Sequence, residues 1–141
     1  MLICTRSTKL SFNSLGIANV INDIPEIVDE VIVVNNNSTD NTDVICNDFI
    51  KANSGLNVSY FIEKNPGLSF ARNRGIKEAK GDVICFIDDD GFAIPEYVNI
   101  ISEFAKNKTY DSYMAFGGKV IPCYNEGMTP KWITPYISGL V

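Results

Sequence analysis

Three consecutive carboxylates, Asp88-Asp89-Asp90, directly follow five apolar residues, Val83-Ile84-Cys85-Phe86-Ile87. Side by side, carboxylates repel: at ~4 Å and an effective dielectric of ~20 each like-charged pair costs about 4 kcal/mol. Solvent exposure, protonation or a divalent cation relieves that cost. In an extended strand, residues two apart share a side at a separation of ~6–7 Å, from ~3.3 Å per residue. Asp88 and Asp90 can therefore converge on one hard cation. Oxygen-only ligands select Mg²⁺ or Mn²⁺, and such an ion readily bridges to a diphosphate. The plain alternative is a solvated acidic turn, against which the apolar run counts. A calcium EF-hand does not fit, because with Gly91 as the sixth loop residue the first and last ligand positions would hold Phe86 and Tyr97.

Other chemistry is bounded by composition. The 141 residues include no histidine, which removes Ser-His-Asp and Cys-His nucleophiles, histidine bases and histidine-ligated zinc. Catalysis would have to run on carboxylates, a bound metal, Lys or Arg. Cys4, Cys46, Cys85 and Cys123 show no CxxC spacing and sit mostly in apolar runs. That is the pattern of buried free thiols in a reducing compartment rather than of a zinc site or a disulfide framework. Twelve basic residues against 17 acidic ones give a net charge of −5, which repels a nucleic-acid backbone. A small phosphorylated ligand stays open, since one ion or one local Arg reverses the sign at a site.

The elements that would position these groups alternate. Leu2-Ile3-Cys4 is a short apolar opening, followed by a helical pattern through Leu15, Ala18, Ile21 and Ile24. Val31-Ile32-Val33-Val34 is apolar without alternation, as expected of a strand covered on both faces. Ser38-Thr39-Asp40 offers N-cap chemistry for a helix carrying Ile45, Phe49 and Ala52 and stopped by Gly55. Val58–Ile62 reads as a third strand. Leu68, Ala71, Gly75, Ile76 and Ala79 mark a helix stripe, with Arg72 inside it and Arg74, Lys77 and Lys80 on the solvated face. A guanidinium directed inward wants an anion, either a carboxylate of the fold or a ligand phosphate. Val83–Ile87 predicts a fourth strand, Pro95 opens a helix with Val98, Ile101, Phe104 and Ala105 inward, and Met114–Ile121 offers a fifth strand with a glycine kink. Strand-helix alternation argues for a doubly wound, mostly parallel α/β sheet. Ligands of such sheets bind beyond the carboxyl ends of the strands, which here carry Asn35-Asn36-Asn37, Glu63-Lys64-Asn65 and Asp88-Asp89-Asp90. No apolar run reaches the ~18 residues of a membrane span. A cytoplasmic location is expected, with peripheral attachment to a membrane left open.

Three ordered segments resemble the family 2 (GT-A fold) glycosyltransferases. Val31-Ile-Val-Val-Asn-Asn-Asn-Ser-Thr-Asp-Asn-Thr42 is similar to the family's VVD(D/N)xSTDxT strand and loop. Asn65-Pro-Gly-Leu-Ser-Phe-Ala-Arg-Asn-Arg-Gly-Ile-Lys-Glu-Ala-Lys-Gly-Asp82 resembles its NxGxxxARNxGIxxAxGD stretch, and Asp88-Asp89-Asp90 followed by Pro95 its DxD metal site. Ile3-Cys-Thr-Arg6 resembles the opening strand, and Gly117–Pro122 with Pro130-Lys-Trp132 a later segment. The resemblance implies a GT-A-like, Rossmann-like doubly wound sheet with helices on both faces. Residues 1–121 would form the nucleotide-sugar-binding domain, and 122–141 the start of an irregular acceptor-side segment. The implied activity is inverting, metal-dependent transfer from a nucleotide-diphosphate sugar, expected to be a UDP-sugar, to a glycan or lipid-linked acceptor. Thr5 and Arg6 would lie near the base, Asn35 at the base-reading position with Asn37 beside it, Asp88 and Asp89 near ribose or sugar, and Arg72 near phosphate. Asp88 and Asp90 would hold Mn²⁺ or Mg²⁺.

Two features depart from the family pattern. Position 35 usually carries Asp, which accepts the base N3–H, whereas Asn35 both accepts and donates. Inverting members place a catalytic acid in a Glu-Asp pair well beyond the Pro-x-Trp segment, and this chain ends nine residues after Trp132. The chain is thus expected to be truncated at its C-terminus, with the catalytic base beyond residue 141. Two alternatives follow: a non-catalytic nucleotide-binding remnant, and a haloacid-dehalogenase-like phosphohydrolase with Asp88 as nucleophile. Phe92, where that second family has Thr or Val, counts against the latter.

Overall fold

The computed structural model describes residues 2–5, 30–88, 93–94, 96–107, 115 and 117–120. The expected helix around Leu15–Ile24, Arg6, Asp89, Asp90, Pro95 and residues 121–141 lie outside the described residues. The chain divides into two compact units, Met1–Lys108 and Thr109–Val141. Four strands, β1 (Leu2–Thr5), β2 (Val31–Asn35), β3 (Val58–Ile62) and β4 (Phe86–Asp88), form one sheet in the order β3-β2-β1-β4. Every pairing is parallel. Among the described residues three helices, α1 (Thr42–Ala52), α2 (Leu68–Glu78) and α3 (Tyr97–Lys106), follow β2, β3 and β4.

The parity of β2 explains its unbroken apolar sequence. Val31 and Val33 pack with Cys46 and Phe49 of α1, and with Leu56, Val58 and Tyr60. Ile32 and Val34 pack on the opposite face with Ala71 of α2, Phe61, Ala79 and Ile84. A strand buried on both faces has no polar side to alternate with. The helices therefore flank the sheet on both sides, as the doubly wound reading requires.

Several boundaries differ from expectation. Strand β4 begins at Phe86 rather than Val83, level with Leu2, the first residue of β1, with which Phe86 pairs. Helix α1 ends at Ala52, where the Asn53 backbone N–H reaches Phe49 O (3.0 Å) and its side chain donates to the same carbonyl (2.8 Å), so Asn53 and not Gly55 stops it. At its start Asp40 accepts from Thr42 N at 3.0 Å, the capping chemistry foreseen in Ser38–Asp40, although Asn41 is the cap residue. Along α2 only Ala71 and Gly75 are buried, while Leu68 (50%) and Ile76 (47%) are exposed. At about 100° per residue Ile76 sits well around the helix from Gly75, and two small residues let the backbone approach β1 and β2. Arg74, expected in solvent, is half-buried over the Phe61 ring at 5.1 Å and paired to Glu78 at 2.8 Å.

Helix α3 starts at Tyr97, two residues beyond Pro95, and has Val98, Ile101 and Phe104 half-buried but Ala105 exposed. In the second unit Gly117–Val120 are exposed and form no strand, contrary to the expected fifth strand. No described helix is long and apolar enough to cross a membrane. Ile32 is 2% exposed in the centre of the sheet. Ile32→Ala should lower the unfolding free energy by about 2–5 kcal/mol in urea titration, whereas Ile76→Ala should stay within about 0.5 kcal/mol.

Candidate functional site

In sequence order the sheet grows outward from β1 through β2 to β3, then crosses to β4 on the other flank of β1. In doubly wound folds ligands bind beyond the carboxyl ends of the strands at such a reversal, which here lies between β1 and β4. The register aligns the expected residues along this edge. Thr5 is paired with Asn35, Asn35 with Ile62, and Cys4 with Asp88.

Arg72 and Asp88 meet there. Arg72 Nη2 donates to Asp88 Oδ1 at 3.3 Å, and the guanidinium lies 5.6 Å from the centre of the Phe86 ring. Both side chains remain substantially exposed, at 40% and 53%, so the pair adds at most about 1 kcal/mol to stability. Arg72 Nε, in contrast, is buried with no hydrogen-bond partner among the described residues. A guanidinium held over a ring with an unsatisfied donor is suited to a planar oxyanion.

The two amides after Val34 behave differently from each other. Asn35, 2% exposed, donates to Asp43 Oδ1 and Tyr60 Oη, both at 2.8 Å, and its carbonyl accepts from Ser38 N at 2.8 Å. Tyr60 Oη also donates to Asp43 Oδ1. Burial, and then the Asp43 carboxylate, push the Tyr60 phenol well above its ordinary range, so it remains a donor. The residue at the expected base-reading position thus organises the loop into α1. Asn36, also 2% exposed, faces the opposite way. Its Nδ2 donates to Glu63 O (3.2 Å) and Asn65 O (2.7 Å), and its Oδ1 accepts from Gly67 N (2.6 Å). Asn37 is exposed with φ of 58°, a left-handed conformation that Asn tolerates.

Asp43, Tyr60 and Phe86 are absent from the residues the sequence points to, and Asn36 stands among them only as part of the Asn35-Asn36-Asn37 strand end, with no role of its own. Asn36 carried a signal, since an amide directly after a fully buried strand must find partners. The other three depend on contacts between distant segments. Asp88 is the described member of the acidic cluster, half-exposed, with Oδ1 on Arg72. Among the described residues no group of three metal-ligating side chains occurs. The donor set itself, carboxylate oxygens at a strand end, is of the hard kind that Mg²⁺ and Mn²⁺ prefer. Asp88 ends β4, opposite Cys4 in the register.

The family model for Glycosyl transferase family 2 matches residues 15–120. The chain belongs to this family. Glycosyltransferase GlyA of Streptococcus pneumoniae serotype 4 is 32% identical over 99 residues, which cover 70% of this chain and 14% of GlyA. The minor teichoic acid biosynthesis protein GgaB of Bacillus subtilis is 34% identical over 80 residues, 56% of this chain and 9% of GgaB. The crystal structure of S. aureus TarS 1–349 superposes with a TM-score of 0.55 at 24% identity, covering 73% of this chain and 30% of that one. This chain therefore spans only a minor part of the length of these family 2 relatives. Membership sets aside the phosphohydrolase alternative, and the superposition agrees with the GT-A fold.

Two outcomes follow from the Asn35 network. Asn35→Asp would set a second carboxylate against Asp43 and should cost about 2–3 kcal/mol in denaturant unfolding. Adding Asp43→Asn should restore most of it, because donor and acceptor then exchange places. Burial and, secondarily, Asp43 and Asp40 push the neighbouring Cys46 thiol from its ordinary 9.0 up to about 12. A raised folded pKa contributes stability below the unfolded value, so the urea midpoint should fall as pH rises from 9.0 towards about 12. Cys46→Ala should flatten that fall.

Proposed function

We propose that this chain carries the donor-binding part of an inverting glycosyltransferase that takes a nucleotide-diphosphate sugar, a UDP-sugar, at the carboxyl edge of the sheet. The reading rests above all on Arg72 meeting Asp88 at the strand-order reversal, with a buried Nε that has no partner among the described residues. In the proposed arrangement the diphosphate engages Arg72, while Asp88 and Asp90 hold Mn²⁺ or Mg²⁺. Such an ion, when bound, supplies electrostatic stabilisation of the leaving diphosphate. The Arg72–Asp88 pair then serves as a placeholder: each partner meets its opposite charge in the ligand complex, and the exposed pair gives way at little cost.

Thr5, Arg6 and Asn37 are assigned to the base end of the site, where buried Asn35 acts from beneath by holding the loop into α1, and Asp88 with Asp89 to the ribose or sugar. Neighbouring strands lie ~4.8 Å apart, so β4 and β2 are separated by roughly 10 Å. That span suits a diphosphate at one end and a base at the other. Direct displacement at the anomeric carbon needs no covalent enzyme intermediate, in keeping with a chain that has no histidine. A glycan or lipid-linked acceptor is the proposed second substrate, supported by a relative named for teichoic acid biosynthesis. A cytoplasmic site of action, with peripheral membrane contact, fits such an acceptor.

Calorimetric titration with UDP and Mn²⁺ tests the reading. Binding should weaken by more than about tenfold on full chelation of the metal and, separately, in Asp90→Ala. Affinity unchanged by both would sink the metal-bridged diphosphate.

A further inference from the structure

Asn36 is a buried amide with all of its side-chain hydrogen bonds made to backbone groups. What those partners are gives it a consequence at Arg72. Its three hydrogen bonds all go to one loop, residues 63–67, that leads from β3 into α2. The assignment of its two amide atoms is forced by chemistry: Gly67 N–H can only donate, and the carbonyls of Glu63 and Asn65 can only accept. The loop adds one brace of its own, Asn65 N to Glu63 Oε1 at 2.8 Å. Asn36 Oδ1 thereby fixes Gly67, whose φ of 138° is open to glycine but strained for other residues. Gly67 in turn begins the helix, because its carbonyl accepts from Phe70 N (3.0 Å) and Ala71 N (3.2 Å). Arg72 is the next residue along that helix.

We propose that Asn36 is a positioning residue for diphosphate recognition: by clamping the 63–67 loop it sets where α2 starts, and so where the Arg72 guanidinium stands against Asp88. The inference rests on the diphosphate reading above and extends it to a residue that touches no ligand. The clamp joins the end of β2 to the start of α2, two segments of the site that are 31 residues apart at Asn36 and Gly67. Asp at position 36 would keep the bond from Gly67 but turn a carboxylate on two carbonyls, so Asn36→Asp releases the loop with little change of volume.

A double-mutant cycle on the full 141-residue chain tests this, with Mn²⁺ and inorganic pyrophosphate or UDP as probes. Arg72→Gln should weaken binding of the Mn²⁺–probe complex about tenfold. Asn36→Asp should weaken it to a similar degree, and the double variant should bind no worse than Arg72→Gln alone. Gly67→Ala releases the clamp from the loop side and should give the same non-additive result, which keeps the test available should Asn36→Asp fail to fold. Cooperative thermal unfolding of each variant above the titration temperature is the accompanying control.

Wild-type-like binding in the folded clamp variants, with Arg72→Gln weakened, would overturn the positioning role alone. A double variant weakened by the product of the two single effects would overturn it too, since that is the mark of independent contributions. If the unaltered chain takes up neither probe, or Arg72→Gln binds as well as it does, the diphosphate reading fails and the clamp's function fails with it.

Discussion

Two buried amides at the end of one strand govern this structure. Asn35 and Asn36 are each 2% exposed, and a polar group removed from water costs about 1–3 kcal/mol unless partnered. Strand parity sends them to opposite faces, so each must be satisfied by a different helix-bearing segment. Asn35 draws in the first turn of α1 through Asp43 and the middle of β3 through Tyr60. Asn36 draws in the loop that starts α2. The same requirement that stabilises the fold therefore organises both walls of the carboxyl edge.

The chemistry of that edge is set against weak local electrostatics. Arg72 and Asp88 form a half-exposed pair, worth little to stability and readily exchanged for stronger partners. The hydrophobic clusters on the two faces of β2 hold the framework, which leaves the charged groups free to serve ligands. A chain of net charge −5 repels a diphosphate on average, so the proposed function needs a local cation, the part it gives to Arg72 over Phe86.

Much of this was legible beforehand. The apolar run Val31–Val34 announced a strand covered on both faces, and Val58–Ile62 has the bounds its residues suggested. Arg72 read as an inward cation seeking either a carboxylate of the fold or a ligand phosphate, and the structure supplies the carboxylate, Asp88 at the end of β4. Less legible was the α2 stripe. Leu68 and Ile76 look like core residues by period, yet Ala71 and Gly75 carry the contact because small side chains permit the closest approach to the sheet. Period reports which residues are apolar, while the approach distance of the neighbour chooses among them.

The sequence by itself determined element type, order and the parallel α/β class, because hydrophobic period and turn chemistry act over a few residues at a time. It also determined which groups could do chemistry, since that inventory is a property of residue type. Tertiary structure alone decided their partners. Asn35 meets Asp43 and Tyr60, 8 and 25 residues away, and Asn36 meets Gly67, 31 residues away. The register that sets Leu2 opposite Phe86 and Cys4 opposite Asp88 is likewise a pairing of distant segments. Hydrogen bonds and register between distant segments depend on how the helices dock, and no local pattern encodes that geometry.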